Sequence, residues 1–559
     1  MTRTNLAPVF LILLSISLSS GSTYYVSPAG DDDWDGSYEH PWATPGYGSK
    51  NISGGDTLII LSGEYVMETF YDDMITPPSG SFGAPTVVIG QGTTKPRMLG
   101  RGSLFACVQI DGSDGCFIEI KNLELTSFID TPYTGGCREG INAYSDSGYA
   151  IHDLKFEDIT IQRVEEMGMD IGGDAENILI KRCDIFRTGY TCIGGPGAYG
   201  DGWVNVVIDS CYLGYAGHFY HGVDTVAWVW DRPDGVGFEE SEGPVEIRYT
   251  ISEHQMGDGL DSKSKRTYIH HCIVANNYAD GVKLWGDSSF VENTLVYGTG
   301  GAYTDTTPWC LLVIDTDDPD AYFEITNCTF WDSPLRPPHY AATIQYDFFT
   351  NPITLVMRNC IFQAQRQILC QPIVNFQASN NLFFINDTLQ ITANGTEYYI
   401  ADISALGTDN IYGNPHFVDP QWGTEGDFHL EESSPAIDAG VSVAGLTDDL
   451  DFYPRPYAGV FDIGCYEWHE TTVISEKSEA TDDAELFVYY DEISSNIVLH
   501  TNESGKFEIF DIKGRLCVEG DVVFSKARVN FSSMSSGIYF VRFVLPDNTA
   551  VLKKVAVLK

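Results

Sequence analysis

Two short segments of the chain place acidic and basic side chains at matching positions. They are Asp258-Gly259-Leu260-Asp261 and Asp280-Gly281-Val282-Lys283, and Lys283 stands 22 residues after Asp261. If each segment forms a strand with its aliphatic residue inward, Asp261 and Lys283 point outward from neighbouring strands about 4.8 Å apart. Clustered aspartates supply the hard oxygen ligands that Ca²⁺ prefers. A lysine beside a cation can serve as a general base, since nearby positive charge and partial desolvation lower its pKa.

The same outward face extends to other coils. Asp170 and Asp224 occupy similar Gly-containing segments, so we expect them in line with Asp261 on the outer surface. Lys263 and Trp285 stand two residues further along the two strands, and we predict that they and Asp170 contact substrate, with the indole stacking on a sugar ring. Two structural alternatives stay open, because Asp-Gly pairs are common turn formers and a tryptophan often packs under a loop.

Other chemical motifs are few. Residues 315–320 (Asp-Thr-Asp-Asp-Pro-Asp) form a second acidic run, which is either a solvated turn or a structural Ca²⁺ loop. The sequence contains no Gly-rich phosphate loop, zinc-spaced Cys/His set or nucleophile elbow. The outward face therefore carries the main functional hypothesis.

A repeated frame reveals the elements that must position these residues. Each copy follows an alternating, strand-like run and has Cys, Thr or Asn at one position, with spacings of 22, 34, 32 and 21 residues between the last five copies. The copies are Arg182-Cys183-Asp184-Ile185, Ser210-Cys211-Tyr212-Leu213, His271-Cys272-Ile273-Val274, Asn293-Thr294-Leu295-Val296, Asn327-Cys328-Thr329-Phe330, Asn359-Cys360-Ile361-Phe362 and Asn380-Asn381-Leu382-Phe383. Repeats of this length, with Gly and Asn punctuation, predict a solenoid.

We therefore expect an all-β fold, a right-handed parallel β-helix over residues 23–468. The Cys, Thr and Asn positions should stack as an internal ladder, and their interchange indicates buried free thiols rather than disulfides. Residues 24–42 resemble the start of many secreted β-helix proteins. Residues 414–440 and 462–467 resemble the closing coils and the terminus of the same region, and solenoids need such atypical ends.

The two ends of the chain carry targeting signals. Residues 1–22 have the basic, apolar and small-residue parts of a secretory signal peptide. A polar linker follows the solenoid at 469–485. Residues 486–559 form a small β-sandwich whose motifs, at 507–516, 536–542 and 553–559, resemble the type IX secretion C-terminal sorting domain. The resemblance implies export by the type IX secretion machinery to the cell surface or the medium, whereas a carbohydrate-binding β-sandwich is the alternative.

Composition limits the partners. The chain has 559 residues, with 78 Asp plus Glu against 32 Lys plus Arg, and its net charge of -46 argues against nucleic-acid binding. No apolar run after the signal peptide reaches the ~20 residues of a membrane span. We expect a monomer that acts on a polysaccharide. An acidic protein repels an acidic polymer unless a cation lies between them.

The Asp-Gly-Leu-Asp and Asp-Gly-Val-Lys-Leu-Trp-Gly segments resemble polysaccharide lyase family 9, which is pectate-lyase-like. The resemblance implies Ca²⁺-dependent β-elimination of a uronate polymer. It makes Lys283 the catalytic base and assigns Asp224, Asp258 and Asp261 to Ca²⁺. Two other functions stay open. One is an inverting glycoside hydrolase that uses paired aspartates. The other is a non-catalytic carbohydrate-binding or adhesive surface protein.

Overall fold

The computed structural model describes residues 21–557 with several gaps. Residues not described are 1–20, 93, 113–114, 129–134, 145–150, 198–199, 219–231, 300–308, 334–340, 347–349, 365–367, 385–390, 458, 470–485, 492–495, 502–504, 512–515, 523–524, 531–536, 545–549 and 558–559. The predicted signal peptide and linker therefore lie almost entirely outside the described residues. The chain divides into two compact units, Met1–His469 and Glu470–Lys559.

Three long sheets, here called A, B and C, build the first unit. Most coils contribute one strand to A, then B, then C, whereas the first and last coils lack one or two of these strands. Their described strands pair in parallel from coil to coil, apart from one antiparallel hairpin at the end of sheet C. The strands of sheet A are Thr23–Val26, Thr57–Leu61, Thr86–Gln91, Ile118–Lys121, Ile151–Glu157, Ala175–Lys181, Trp203–Asp209, Val245–Arg248, Thr267–His270, Ser289–Glu292, Tyr322–Thr326, Ile353–Arg358, Val374–Ser379 and Gly407–Thr408. The strands of sheet B are Glu64–Met67, Arg97–Gly100, Glu124–Ser127, Thr160–Gln162, Asp184–Phe186, Tyr212–Gly214, Ile251–Glu253, Ile273–Asn277, Leu295–Thr299, Thr329–Trp331, Ile361–Gln363, Leu382–Phe384 and Ile411–Tyr412.

Sheet C is the sheet that carries the candidate site. Its strands are Leu104–Asp111, Cys137–Tyr144, Met169–Ile171, Ile193–Gly194, Val236–Ser241, Leu260–Ser264, Val282–Leu284, Leu312–Ile314, Ala342–Ile344, Ile368–Cys370, Ile391–Ala393 and Thr396–Tyr398. An α-helix at Pro45–Asn51 lies near the first coil, and a 3₁₀ helix spans Ile400–Ala405. The predicted right-handed parallel β-helix is confirmed.

The repeated frame forms the corner between sheets A and B. Its first residue is left-handed, for example Asn293 and Asn327 at φ 51° and 50°, a region that asparagine tolerates better than most residues. The next residue points inward, and the thiols of Cys183, Cys272 and Cys328 are fully buried. Each ladder thiol donates to backbone carbonyls, as Cys272 does to His270 O at 3.3 Å. The predicted ladder of buried thiols is confirmed.

Residues 414–468, here called the strap, are not coils, so the expected closing coils are wrong. After the last strand of sheet B the chain turns back and packs on the outside of that sheet, where it forms a second core with residues such as Leu295 and Trp331. The first asparagine of several frames binds the strap: Asn293 Nδ2 donates to Asp448 O (2.9 Å) and Asn359 Nδ2 to Val441 O (2.7 Å). Two strap strands, Phe417–Asp419 and Asp427–Leu430, pair antiparallel.

The second unit has two antiparallel sheets. One contains Leu486–Asp491, Asn496–Thr501 and Ser525–Asn530. The other contains Gly505–Asp511, Leu516–Val522, Gly537–Val544 and Ala550–Val557. Alternate residues such as Ile509, Val541 and Phe543 are buried, which is the pattern of a half-buried antiparallel sheet. The predicted small C-terminal β-sandwich is confirmed. No helix in the described part of the chain is long and apolar enough to cross a membrane.

Candidate functional site

The parallel register of sheet C aligns the predicted outward residues in one row. Asp261 pairs with Lys283 on the next strand, and Asp261 pairs on its other side with Gly237. The row continues through Gly194 to Asp170. Asp170, Asp261 and Lys283 therefore lie on one outer face, as expected from their spacing. Two glycine strands separate Asp170 from Asp261, which places Asp170 roughly 14 Å away along the solenoid.

Lys283 contacts two of the predicted metal ligands. Its Nζ lies 3.1 Å from Asp258 Oδ2 and 3.5 Å from Asp261 Oδ2. Asp234 joins them, since ligand oxygens of Asp234, Asp258 and Asp261 all lie within 4.8 Å of one another. Within the described residues this is the one group of three or more potential metal ligands so arranged, and the acidic run at 315–320 does not form another.

Asp234 was not predicted, and Asp224 lies outside the described residues. The signal for Asp234 is present in the sequence, because Asp234-Gly235-Val236 repeats the Asp-Gly-aliphatic pattern of the two later coils. The glycine is required in this pattern, since a Cβ on Gly235 would lie 2.5 Å from the carbonyl oxygen of Gly259. Asp234 was missed because residues 231–243 look like an insertion between coils rather than part of a strand.

The Asp-Gly aspartates also hold successive coils together. Asp234 Oδ1 accepts from Asp258 N (2.6 Å), Asp258 Oδ1 accepts from Asp280 N (2.8 Å), and Asp280 Oδ1 accepts from Cys310 N (2.6 Å). These bonds show that the Asp-Gly aspartates have a structural role at the turns, which was the alternative to metal binding. Asp258 has both roles, because its second oxygen contacts Lys283. The chain of carboxylate-to-amide bonds fixes where the remaining oxygens point.

Negative charge exceeds positive charge in this cluster. Burial and the neighbouring charge of Asp258 raise the pKa values of Asp234 and Asp280 well above the ordinary range. Burial also raises the pKa of Asp261, although Lys283 opposes that shift. Burial lowers the pKa of Lys283, but the surrounding aspartates outweigh burial and raise that pKa well above its ordinary value. Lys283 alone does not balance the carboxylates, so the cluster favours an additional positive charge.

The donor set fits Ca²⁺. Asp261 Oδ1 is buried, and no donor in the described part of the chain reaches it. Asp234 Oδ2 and Asp258 Oδ2 are not engaged by the coil-to-coil amide bonds, and Asp258 Oδ2, which accepts from Lys283, still has a second lone pair, so three residues can each offer a carboxylate oxygen to a cation. A Cβ on Gly237 would lie 2.5 Å from Asp234 Oδ2, so glycine keeps that position open for the carboxylate. Hard oxygens from several carboxylates are the ligands that Ca²⁺ selects.

Lys263 and Trp285 flank the cluster. Lys263 Nζ bonds to Glu239 Oε1 at 2.7 Å and lies 3.7 Å from Asp261 Oδ2. The Trp285 ring centroid lies 5.5 Å from Lys283 Nζ and 5.9 Å from Lys263 Nζ, which is cation–π range. The half-buried indole thus covers both lysines from one side.

Asp170 belongs to a separate carboxylate pair. Asn142 Nδ2 donates to Glu139 Oε2 at 2.8 Å and lies 3.4 Å from Asp170 Oδ2. Burial, followed by the charge of Asp170, raises the pKa of Glu139 to about 8. Burial and Glu166 raise the pKa of Asp170 to about 6. The structure therefore does not bring Asp170 to the Lys283 cluster.

Comparison with known families identifies the second unit. Residues 492–558 match the family model of the secretion system C-terminal sorting domain. The C-terminal unit is a type IX sorting domain. The chain is therefore exported to the cell surface or the medium, as predicted. The sorting domain covers only the end of the chain and leaves the chemistry of the solenoid open.

Solved structures similar to the whole chain are distant. The pectate lyase Pel9A is 13% identical with a TM-score of 0.41, covering 81% of this chain and 98% of its own. XylC in complex with xylose is 9% identical with a TM-score of 0.47, covering 95% and 100%. The A-module of the mannuronan C-5 epimerase AlgE4 from Azotobacter vinelandii is 12% identical with a TM-score of 0.38, covering 64% and 88%. No curated protein matches the sequence significantly.

Proposed function

We propose that the protein is a secreted or surface-displayed polysaccharide lyase that cleaves a uronate polymer, such as pectate, by Ca²⁺-dependent β-elimination. The observation that supports this function is the contact of Lys283 Nζ with Asp258 and Asp261, at 3.1 and 3.5 Å, beside Asp234. A base next to a cluster of metal ligands is the arrangement that this reaction requires.

In the proposed reaction, Asp234, Asp258 and Asp261 would hold Ca²⁺, and Trp285 would stack on a sugar ring. When bound, Ca²⁺ would supply positive charge beside the substrate carboxylate and offset the charge of the aspartates. Lys283 Nζ removes the proton α to that carboxylate. The electron pair forms the new carbon–carbon double bond as the C4–O4 bond breaks, and the leaving sugar oxygen takes a proton from solvent. Because the aspartates raise the pKa of Lys283, the amine is protonated without the cation, so activity should require Ca²⁺.

The test is the ultraviolet absorbance of the unsaturated product on pectate, alginate and glycosaminoglycans, with and without a chelator. We expect Lys283→Ala to lower turnover by about 10²–10⁴-fold. Lys263→Ala is the matched control, since it removes a neighbouring lysine of the same patch, and we expect it to raise KM while most of kcat remains. Folded protein that yields no unsaturated product on any uronate would refute the proposal.

The binding of Ca²⁺ can be measured without turnover. Asp261→Asn removes one of the three carboxylates and keeps the shape of the side chain, so we expect weaker Ca²⁺ binding by calorimetry. Asp170→Asn is the matched control because Asp170 lies roughly 14 Å from the cluster. Equal Ca²⁺ affinity in the two variants would argue against the assigned ligands.

A glycoside hydrolase is the second candidate, and the Glu139–Asp170 pair favours it. A pKa of about 8 keeps Glu139 protonated at neutral pH, which is the state of a general acid. Asp170, with a pKa of about 6, is then largely ionised. Reducing ends released without an unsaturated product, and lost in Glu139→Gln, would select this function. Absence of both products would leave a non-catalytic carbohydrate-binding protein.

A further inference from the structure

A second surface, on the outer face of sheet A, carries aromatic rings instead of metal ligands. Tyr268 lies directly opposite Phe290 on the next strand, and the rings of Phe290 and Tyr322 lie 6.2 Å apart. Phe290 is 36% exposed, and the two tyrosines are half-buried. The three residues come from successive coils, so they form a strip, here called the aromatic strip, that runs along the solenoid.

Hydrogen bonds hold the rings of the aromatic strip in place. Tyr268 Oη donates to Glu292 Oε1 at 2.9 Å, and Tyr322 Oη donates to Glu324 Oε2 at 2.8 Å. His270 stacks on Tyr268, with ring centroids 4.4 Å apart and an angle of 27°. A ligand that stacks on these rings therefore meets side chains that are already ordered, which lowers the entropy lost on binding.

Two rings of the strip line an open cavity. Tyr268, Phe290, Glu292 and Glu324 line this cavity of about 440 Å³, and Val443 and Ala444 of the strap line it as well. Concave sites with apolar walls and a few polar groups are where sugars and other small ligands bind. The strap thus contributes two residues to a cavity on the outer face of sheet A.

The polar groups of the cavity select the ligand. Arg358 pairs with Glu324 at 2.6 Å, and Arg266, at the cavity edge, donates to the backbone carbonyls of Glu242 and Gly243. Arg358 is thus paired with a carboxylate, while Arg266 keeps its charge, so a ligand meets ring faces, carboxylate oxygens and one guanidinium at the edge. Ring faces stack on the C–H faces of pyranoses, and carboxylates accept from hydroxyl groups. The two arginines balance Glu292 and Glu324, so the cavity holds no excess of positive charge that would attract a polymer carrying carboxylates.

We propose that the aromatic strip binds a neutral glycan chain, at a site separate from the aspartate–lysine cluster on sheet C. The two sites lie on different sheets and have opposite preferences. The cluster on sheet C gathers a cation that suits an anionic polymer, whereas the strip suits an uncharged one. The strip would hold the exported protein on a neutral polysaccharide while the other face works on the uronate polymer.

Retention on insoluble polysaccharides tests the proposal. The protein is mixed with cellulose, xylan, mannan or polygalacturonate in the presence of a chelator, and the protein left in solution is measured. We expect retention on at least one neutral glycan, an affinity loss of roughly tenfold or more in Phe290→Ala, and retention in Phe290→Trp, which keeps a ring. Phe82→Ala is the matched control, since Phe82 is 92% exposed and lies on an early coil.

The proposal is overturned by any of three results. They are no retention on a neutral glycan, stronger retention on polygalacturonate, and an equal loss in Phe82→Ala and Phe290→Ala. Thermal unfolding of each variant establishes that it is folded. If Phe290→Ala does not fold, Phe290→Trp is compared with the wild type instead. Because the assay scores retention in chelator and not turnover, its outcome is independent of the lyase proposal.

Discussion

Arg455 is the buried link between the strap and the solenoid, and its removal should open the strap. The side chain is fully buried, and its Nη1 lies 2.6 Å from Glu467 Oε1, which is also buried. Its Nη2 donates to Asn293 Oδ1 of the solenoid at 3.0 Å and to Gly464 O at 2.9 Å. One guanidinium thus joins two distant parts of the strap to the corner between sheets A and B.

The size of the effect follows from the charge left behind. In Arg455→Met, the Glu467 carboxylate keeps only the backbone amides of Tyr457 and Asp462 among its described donors. Removing one partner of a buried ion pair costs about 3–5 kcal/mol. If that cost falls on the strap, its opening equilibrium increases by between about two and four orders of magnitude. Arg455→Met/Glu467→Gln should recover a large part of the loss, because the uncompensated charge is gone.

Hydrogen exchange followed by mass spectrometry measures this opening. We expect faster exchange in peptides from 439–468, with little change in peptides from the first coils, which are the internal control. Limited proteolysis should cut the variant first within the strap. Unchanged protection of the strap in Arg455→Met, or an equal loss of protection along the whole solenoid, would refute the assignment of Arg455 as a local link.

Two further predictions concern pH. The pKa of Glu139 is raised to about 8 by burial and Asp170, so its contribution to stability is present below its ordinary pKa and is lost as pH rises through about 8. In Glu139→Gln, the melting temperature should decrease less between acidic and alkaline pH than in the wild type. An equal decrease in both proteins would contradict the raised pKa of Glu139. His429 bonds to Asp427 (2.6 Å) and Asp451 (2.7 Å), which outweigh burial and raise its pKa to about 10. The stabilisation by His429 is therefore complete below its ordinary pKa and disappears as pH rises through about 10. In thermal melts, His429→Gln should remove this loss of stability at alkaline pH. The same alkaline loss in the variant as in the wild type would be inconsistent with the pairing.

The sequence predicts the solenoid well because its signal is local and repeated. Each coil repeats an alternating strand, a left-handed corner and an inward Cys, Thr or Asn, so the pattern of one coil supports that of the next. The same repeat predicts that Asp261 and Lys283 are neighbours, because residues that are one coil, or 22 residues, apart pair on adjacent parallel strands. Thr250 and Asn410 also belong to the ladder, accepting from Cys211 N and Asn381 N. Thr250 keeps the regular spacing, 22 residues before Cys272, whereas Asn410 stands 29 residues after Asn381.

The strap and Asp234 could not be predicted in the same way. The strap is held by contacts such as Asn293 with Asp448, which are 155 residues apart and leave no periodic trace. Its short β segments therefore look like further coils. Asp234 carries the right local pattern, but a long insertion before residue 234 interrupts the spacing, since the paired residues Gly194 and Gly237 are 43 residues apart. Periodicity identifies residues that share a coil position, and it does not identify which distant segments pack together.

The path of the strap also determines how the solenoid bears mechanical load. The chain leaves the first unit just after residues 462–467, and these are fixed to the middle coils: Asn327 Nδ2 donates to Asp462 O, and Gly464 N donates to Asn359 O. A pull on the end of the first unit would therefore reach the coils of Asn327 and Asn359 directly. It would not first reach the last coil, at Gly407–Tyr412, whose strands stand at the edge of sheets A and B. The chain thus leaves the first unit from the middle of the solenoid and not from its last coil.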